Sequence, residues 1–403
     1  MMKLQTLAAL AAGIALTGVA FVLAICAFDT NHAAARAADV DAGLLNDARS
    51  NFQPLPKDMA TPEFPITPSR VELGRKLFFD PRISVDGTVS CARCHQPALY
   101  GTDGLPKARG AHDKLNPRNV PTILNAALQF KAHWRGDREN VEDEAKQVLI
   151  GPFSFINSDY ASAMARIKAI PGYADLFRKE FPGDPDPVTP DNWAKAIGAF
   201  ERTLVTPSRF DAFLAGDARA LSPEERTGLR KFIDTGCIAC HNGAEVGGGI
   251  FQKFGVVEDY WTATGSRQPD KGRFDVTHDP QDTYVFKVPS LRNVAMTPPY
   301  FHDGSVRSLP EAVRIMAKVQ LGRALSDQDT ADIVAFLGSL TGKLPQGFVE
   351  APILPASGFD VSQTEAPQQQ RIQGSQKAKR QQERLQSNLT NSNVPSSQLK
   401  LSQ

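Results

Sequence analysis

Two short motifs contain all but one of the chain's five cysteines, and in each motif a histidine directly follows the second cysteine. In a Cys-x-x-Cys-His motif the two thiols can add to the vinyl groups of one haem, and the histidine can bind the iron. A zinc site would require both cysteine pairs to meet, and a redox dithiol or a disulfide requires no histidine. The motifs therefore predict two covalently bound haem c groups, held by Cys91, Cys94 and His95 and by Cys237, Cys240 and His241.

The sixth ligand of each iron decides what the haem can do. A methionine raises the reduction potential and gives an electron-transfer haem, whereas an open or displaceable position lets the iron bind peroxide. We prefer Met316 to Met296 for the second haem, because Met316 lies on a predicted capped helix and Met296 in a Pro-rich loop. Either methionine could instead serve in core packing. The histidine candidates outside the motifs and the N-terminal segment are His112, His133, His278 and His302.

Helices must position these residues, because apolar residues recur at helical spacing and little alternating strand pattern occurs before about residue 350. Long Gly- and Pro-rich loops at 97–122 and 242–300 separate the helices, and such loops usually surround a site or a cofactor. The sequence therefore predicts an all-α chain. Several helix starts have a serine followed by an acidic residue at capping-box spacing, and these serines are Ser69, Ser222, Ser308 and Ser326.

The overall charge and the two ends of the chain limit the classes of function. The 403 residues have a net charge of +1, so no excess of basic side chains is available to bind nucleic acid. An apolar run behind Lys3 is typical of an export signal or an N-terminal membrane anchor over 1–38. We expect a periplasmic protein, soluble or tethered to the inner membrane. A lead-in linker is expected at 39–66 and a disordered Gln-, Ser- and Asn-rich tail at 356–403.

One block of sequence, 286–322, reads FKVPSLRN, then PYFHDG, and then LPEAVRIMAKVQLG. Together with the two haem motifs, this block resembles the bacterial dihaem cytochrome c peroxidase family, which also contains the enzyme that matures tryptophan tryptophylquinone. The resemblance covers 67–345 and implies two cytochrome-c-like domains that face each other. It implies a peroxidatic haem domain at 67–205, an electron-transfer haem domain at 206–342, and a returning segment at 343–355 that packs on the first domain.

The resemblance also implies roles for individual residues. His241 and Met316 match the two axial ligands of the high-potential haem. His95 matches the proximal ligand of the peroxidatic haem, and His112 lies close to the position of its displaceable distal histidine. Trp134 matches a tryptophan between the two haems that could pass electrons. The maturation enzyme has Tyr where Met316 stands, which favours a peroxidase.

The resemblance implies a calcium site between the domains as well. Asn119, Thr297 and Pro299 match its ligands, and carbonyl oxygens are groups that this hard cation prefers. His302, in the PYFHDG element, matches a structural residue rather than an iron ligand.

The chain departs from the family pattern in the predicted peroxide pocket. The family usually has a Gln and, further along, a Glu that serves as acid and base. Here Glu144 takes the Gln position, and Ser154 or Ser158 takes the Glu position, depending on the alignment. Splitting peroxide requires a group that moves a proton from one oxygen to the other. Glu144 or His133 could serve if either faces the open side of the iron; otherwise Glu144 is a solvated helix carboxylate and His133 an ordinary surface or core residue.

The expected function is reduction of hydrogen peroxide to water by an exported dihaem c oxidoreductase. Its electrons would come from a small donor protein, a c-type cytochrome or a cupredoxin. Two alternatives remain open: a dihaem enzyme that oxidises a protein or a small organic substrate through a high-valent haem, and a non-enzymatic electron carrier with both irons six-coordinate. Members of the family are often dimers, so a homodimer is a further expectation.

Overall fold

The computed structural model describes residues 42–356 and confirms the expected all-α architecture. The sheet in this range has two short strands, and β1 (Phe251–Lys253) pairs antiparallel with β2 (Val285–Lys287). The helices are α1 (42–51), α2 (Pro68–Phe79), α3 (Cys91–Cys94), α4 (Val141–Val148), α5 (Tyr160–Lys168), α6 (Pro171–Glu180), α7 (Pro190–Glu201), α8 (Arg209–Leu214), α9 (Pro223–Thr235), α10 (Tyr260–Thr264), α11 (Phe274–Thr277), α12 (Leu309–Leu321), α13 (Asp327–Ser339) and α14 (Gln346–Val349).

Side-chain caps fix where several of these helices begin. The predicted caps at Ser222 and Ser326 are present, and each accepts a backbone N–H from the first turn of its helix. Helix α2 is capped by Thr67 rather than by Ser69, because the proline after Thr67 is preorganised for the first helical position. Ser308 precedes α12, but its side chain makes no capping hydrogen bond.

The first core lies among α2 and α4 to α7 and is rich in aromatic side chains. Helix α2 crosses α7 at Gly74, where an added Cβ would lie 1.8 Å from the carbonyl oxygen of Ala196, so this crossing requires glycine. Trp193 is fully buried, and its indole N–H donates to the Ala145 carbonyl oxygen at 2.7 Å. The half-buried Cys91 packs against this core, which therefore positions the first Cys-x-x-Cys-His motif.

The segment after α13 returns to the first core. Phe348 of α14 is fully buried, and its ring centroid lies 6.1 Å from that of Phe78. Arg75 of α2 donates to the carbonyl oxygen of Gly347 at 2.7 Å. Gly347 and Phe348, within the predicted returning segment, thus contact helix α2 of the first half.

The second core lies among α1, α8, α9 and α13. The prediction that 39–66 is only a lead-in linker is wrong for its first part. Helix α1 lies there, and Leu44, Ala48 and Phe52 are buried in this core. These residues repeat at helical spacing along one face. The face contains so few residues, in an otherwise polar and Pro-rich segment, that its periodicity was too weak to predict a helix.

The two halves of the molecule meet through long loops. Arg118 of the first half forms a bidentate ion pair with Asp270 of the second, at 2.6 and 2.7 Å. The backbone N–H of Asn119 donates to the carbonyl oxygen of His302 at 2.7 Å. These contacts hold the first loop, 97–122, against the second half.

Two expectations fall outside the described residues: the signal or anchor at 1–38, and the tail at 356–403 apart from its first residue. Among the helices within residues 42–356, none has both the length and the apolar character that crossing a bilayer requires.

Candidate functional site

The second Cys-x-x-Cys-His motif borders a large cavity with mostly apolar walls. Cys237, Cys240 and His241 line it, and Met316 of α12 lines it as well. His241 Nδ1 lies 3.3 Å from the Val246 carbonyl oxygen, which leaves Nε2 for a metal. Burial lowers the pKa of His241 to about 4, so its imidazole is neutral, the form that binds iron. These residues fit a haem c with histidine and methionine as axial ligands.

The two methionine candidates differ in their surroundings. Met316 lines the cavity from a regular helix, whereas Met296 lies in a short turn and is 43% exposed. The position of Met316 supports it as the distal ligand.

The first motif consists of helix α3 (Cys91–Cys94) and of His95, which directly follows it. His95 Nδ1 lies 2.9 Å from the Gly101 carbonyl oxygen, which repeats the arrangement of the second motif, and burial lowers the pKa of His95. Within residues 42–356, there is no group of three or more His, Cys, Asp or Glu side chains that could hold a metal ion. The two cysteine pairs therefore do not meet as a zinc site, and each fits its own haem.

His133 and Glu144, the candidate acid and base, lie next to each other. His133 Nε2 is 2.9 Å from Glu144 Oε2, and His133 Nδ1 is 3.3 Å from Asp137 Oδ1. Burial alone would lower the pKa of His133, but the two carboxylates outweigh it and raise this pKa to about 9. At neutral pH the imidazole therefore holds a proton between two carboxylates.

This His133–Glu144 pair belongs to the surroundings of the first motif. The charge of Glu144 raises the pKa of His95 and that of His133 lowers it, although burial is the largest influence. Glu144 also adds to the elevation of the pKa of Cys91, which burial dominates. The two candidate groups therefore lie within electrostatic reach of the predicted peroxidatic haem.

The two serines at the alternative Glu positions have local structural roles. Ser154 Oγ donates to the Val148 carbonyl oxygen at 2.9 Å, and Ser158 Oγ donates to Ser162 Oγ at 3.1 Å. Neither hydroxyl can replace a carboxylic acid in proton transfer near neutral pH. This leaves His133 and Glu144 as the candidates that sequence reasoning had named.

Trp134 connects the two halves. It follows His133 in the first half, yet its side chain lines the cavity of the second motif. Its indole N–H donates to the Asn119 carbonyl oxygen at 2.9 Å, and its own carbonyl oxygen accepts the N–H of Lys287 at 2.8 Å. This placement fits the predicted stepping point between the haems.

The three residues expected to bind calcium gather on one cavity. Asn119, Thr297 and Pro299 all line it, together with Trp134. The Asn119 side-chain amide donates to the Leu105 carbonyl oxygen at 2.8 Å, so its conformation is already fixed by the loop. Calcium binding by this group stays a prediction.

His112, expected as the displaceable iron ligand, lies at the surface. Its side chain is 57% exposed, and its Nδ1 is 3.7 Å from Asp86 Oδ2. The backbone N–H of His112 donates to the same Asp86 oxygen at 2.7 Å, and this bond is the main cause that lowers the pKa of Asp86. The structure thus places His112 away from the protein interior, with Asp86 as its partner.

The remaining histidine candidates differ in their surroundings. His278 is exposed and ends helix α11. His302 is buried, lines the second cavity and stacks on Phe286, with ring centroids 4.3 Å apart. Its structural role stays a prediction.

Sequence reasoning missed several buried ionisable groups near the two sites. Glu201 is buried close to the first motif, and burial, with Glu142 and Glu144 adding to it, raises its pKa well above the usual range. Lys287 and Glu245 are buried beside the second cavity. The FKVPSLRN element contained Lys287, but lysine side chains are usually exposed, so nothing in the sequence signalled its burial.

Comparison with known proteins agrees with this arrangement. A family model described as di-haem cytochrome c peroxidase matches residues 68–219, and a cytochrome c model matches residues 226–341. The cytochrome c551 peroxidase of Pseudomonas aeruginosa is 43% identical over 316 residues, which cover 78% of this chain and 90% of that protein.

Two further matches lie in the same group of proteins. The methylamine utilization protein MauG of Methylorubrum extorquens is 34% identical, with 72% of this chain and 83% of that protein covered. A crystal structure of a MauG-like protein associated with microbial copper homeostasis superposes with a TM-score of 0.64 at 28% identity, covering 74% of this chain and 95% of that one. The chain therefore belongs to the di-haem cytochrome c peroxidase family, and it is an oxidoreductase that binds two haem c groups covalently.

Proposed function

We propose that this protein reduces hydrogen peroxide to water at the haem bound through His95. The overall reaction consumes one peroxide, two electrons and two protons and yields two waters. The bound haem supplies the iron that binds peroxide and accepts electrons. The observation that supports the proposal best is the contrast between the two sites, because Met316 lines the second one while the His133–Glu144 pair lies near the first.

The proposed electron path runs from the second site to the first. A small donor, a c-type cytochrome or a cupredoxin, would reduce the haem between His241 and Met316. Trp134 would then mediate transfer, because its side chain lines the second cavity while its backbone belongs to the first half. Calcium at Asn119, Thr297 and Pro299 would stiffen the contact between the halves.

The proton transfers would fall to His133 and Glu144. His133 Nε2 and Glu144 Oε2 lie 2.9 Å apart without a hydrogen bond, so a small reorientation that completes this bond would let a proton pass between them. Asp137, on the other ring nitrogen, fixes the orientation of the imidazole and favours its protonated form. We further propose that the protein is exported through residues 1–38 and acts in the periplasm.

Steady-state peroxide consumption with a reduced small cytochrome as donor tests the proposed function. The holoenzyme, half-reduced and supplied with calcium, should turn over far faster than free haem. A double Cys91→Ser, Cys94→Ser variant, which lacks the first haem attachment, is the control and should be inactive. Turnover no faster than free haem, or equal turnover in that control, would contradict the proposal. Two six-coordinate irons that never bind cyanide would indicate an electron carrier instead.

The pH dependence of turnover should reveal the pKa of His133. Because its carboxylate partners raise this pKa to about 9, the imidazole is protonated below that pH and can deliver a proton to the leaving oxygen. Turnover should fall as the pH rises through about 9. In His133→Gln this alkaline limb should disappear at a lower overall rate, and an unchanged profile would exclude His133 as the titrating group.

Asp86→Ala should shift His112 toward the iron. The variant loses two contacts to the carboxylate, one of them a charge-assisted bond worth about 1.5–3 kcal/mol, or roughly a 10- to 100-fold change in the equilibrium. We expect more six-coordinate, low-spin iron at the His95 haem and slower cyanide binding. Asp113→Ala, at a neighbouring exposed carboxylate, is the matched control. Cyanide binding as fast as in the wild type would show that Asp86 does not hold His112 away.

A further inference from the structure

The charged groups on the wall of the second cavity all have the same sign. Among the described residues, the lysines and arginines that line it are Lys253, Lys287 and Arg292, and no aspartate or glutamate lines it. Arg292 is already paired with Asp211 at 2.7 Å. Lys253 is exposed. Lys287 therefore remains as the buried cation available to a ligand.

Lys287 is buried without a carboxylate bonded to it. Only 5% of the residue is exposed, and its Nζ donates to the side-chain carbonyl oxygen of Gln129, a neutral acceptor. Glu245 is buried nearby and acts on the charge of Lys287, but neither of its carboxylate oxygens has a hydrogen-bond partner. A buried ammonium with so little compensation is costly unless an anion completes its surroundings.

The haem that this cavity holds contains such anions. Its vinyl groups are used by Cys237 and Cys240, and its two propionate groups need positive or hydrogen-bonding partners wherever they are buried. We propose that the Lys287 ammonium, together with the Gln129 side-chain amide, binds a propionate of the haem in the second site. This inference rests on the cofactor of the site and is independent of the peroxide-reducing function proposed above.

The position of Gln129 supports a propionate-binding site formed by both halves of the chain. Gln129 belongs to the first half of the chain and lines the cavity beside Lys287 of β2. It passes so close to Gly248 that a Cβ there would lie 2.8 Å from Gln129 Cγ, and Gly248 has a φ of +72°, so glycine is required twice over. The propionate would thus be held by one residue from each half, which ties haem binding to the contact between the halves.

The contact between Lys287 and a propionate should raise the reduction potential of the second haem. A cation beside the propionate offsets a negative charge close to the iron and so stabilises the reduced state. Burial lowers the pKa of Lys287 to about 8 against the opposing effect of Glu245, and a propionate contact would keep the lysine charged. Loss of the cation should therefore lower the potential of the second haem.

Resonance Raman spectroscopy of the propionate bending modes and spectroelectrochemistry of the second haem test the proposal on the holoenzyme. Lys287→Met should shift one propionate band and lower the potential, whereas Lys287→Arg should restore both in large part. Gln129→Leu should shift the same band while keeping the lysine. Lys271→Met removes an exposed lysine from the same domain and should change neither quantity.

A double variant separates propionate binding from simple compensation of Glu245. In Lys287→Met, Glu245→Gln both buried charges are removed, so the chain should fold even if Lys287→Met alone does not. If Lys287 binds a propionate, the shifted band persists in the double variant. If Lys287 serves only to neutralise Glu245, the double variant regains the wild-type band and the proposal is wrong. An unshifted band in Lys287→Met, with two haems confirmed by mass spectrometry, would overturn it as well.

Discussion

Replacing Glu144 by Gln should lower the peroxide turnover number by about 10²- to 10⁴-fold, the usual contribution of a positioned acid or base. The carboxylate lies 2.9 Å from His133 Nε2, and the amide would keep the shape of the side chain while losing its ability to take up a proton. Gln is also the residue that the family pattern usually has at this position. A loss of activity on restoring it would show that Glu144 has taken over proton transfer in a pocket where serines stand at the usual Glu position.

Glu139→Gln is the matched control for this experiment. Glu139 lies five positions before Glu144 in the chain, is 74% exposed, and pairs only with Lys131 among the ion pairs of the described residues. Its substitution should leave turnover within about twofold, because exposed ion pairs contribute little. Both variants should keep two haems by mass spectrometry. Wild-type turnover in Glu144→Gln would assign proton transfer to another group, with the buried Glu201 as the next candidate.

Much of the architecture could be predicted because local rules and motifs agree. The Ser222 and Ser326 caps, each followed by an apolar helix, begin α9 and α13 as expected. The FKVPSLRN and PYFHDG elements pointed to a known arrangement of two halves. Helix α1 escaped prediction because a face of three buried residues gives too short a periodic pattern to distinguish a helix from a polar lead-in.

The pairing of His133 with Glu144 could not be predicted from spacing. The two residues are too far apart in the chain for a contact within one helix, and His133 adopts a left-handed backbone conformation with a φ of +65°, which no sequence rule requires of histidine. Asn140 caps α4, and Glu144 of that helix lies beside the imidazole. The residue types suggested proton chemistry, but their mutual contact and the support from Asp137 come from the fold.

The burial of Lys287 in the second site could not be predicted from the sequence either. A lysine in a short strand is normally placed at the surface, and here the strand passes beneath a loop of the other half, whose Trp134 accepts the Lys287 backbone N–H. Contacts between distant segments thus decide which ionisable residues face the haem. The Cys-x-x-Cys-His motifs predict the proximal iron ligands because their spacing is local, whereas the groups that tune the iron are brought in from elsewhere.

Met316→Leu should prevent efficient reduction of the second haem by the donor protein while leaving the fold intact. Leucine nearly conserves the volume of methionine, so the cost in stability should stay below about 1.5 kcal/mol. Without its thioether ligand the second haem should lose the methionine–iron absorption band, and its reduction potential should fall by roughly a few tenths of a volt, a sizeable part of the range that axial ligands span. Turnover with a cytochrome donor should then fall at least about tenfold, because the donor can no longer reduce this haem efficiently.

Met296→Leu provides the comparison that makes the Met316 result decisive. Both methionines follow the second motif, but Met296 is 43% exposed whereas Met316 lines the cavity with His241. Met296→Leu should keep the absorption band, the potential and the turnover of the wild type. The reverse outcome, a lost band in Met296→Leu and an intact one in Met316→Leu, would mean that the loop and not helix α12 supplies the ligand. Loss of the band in neither variant would mean that the second haem has no methionine ligand, and the proposed entry point for electrons would have to be abandoned.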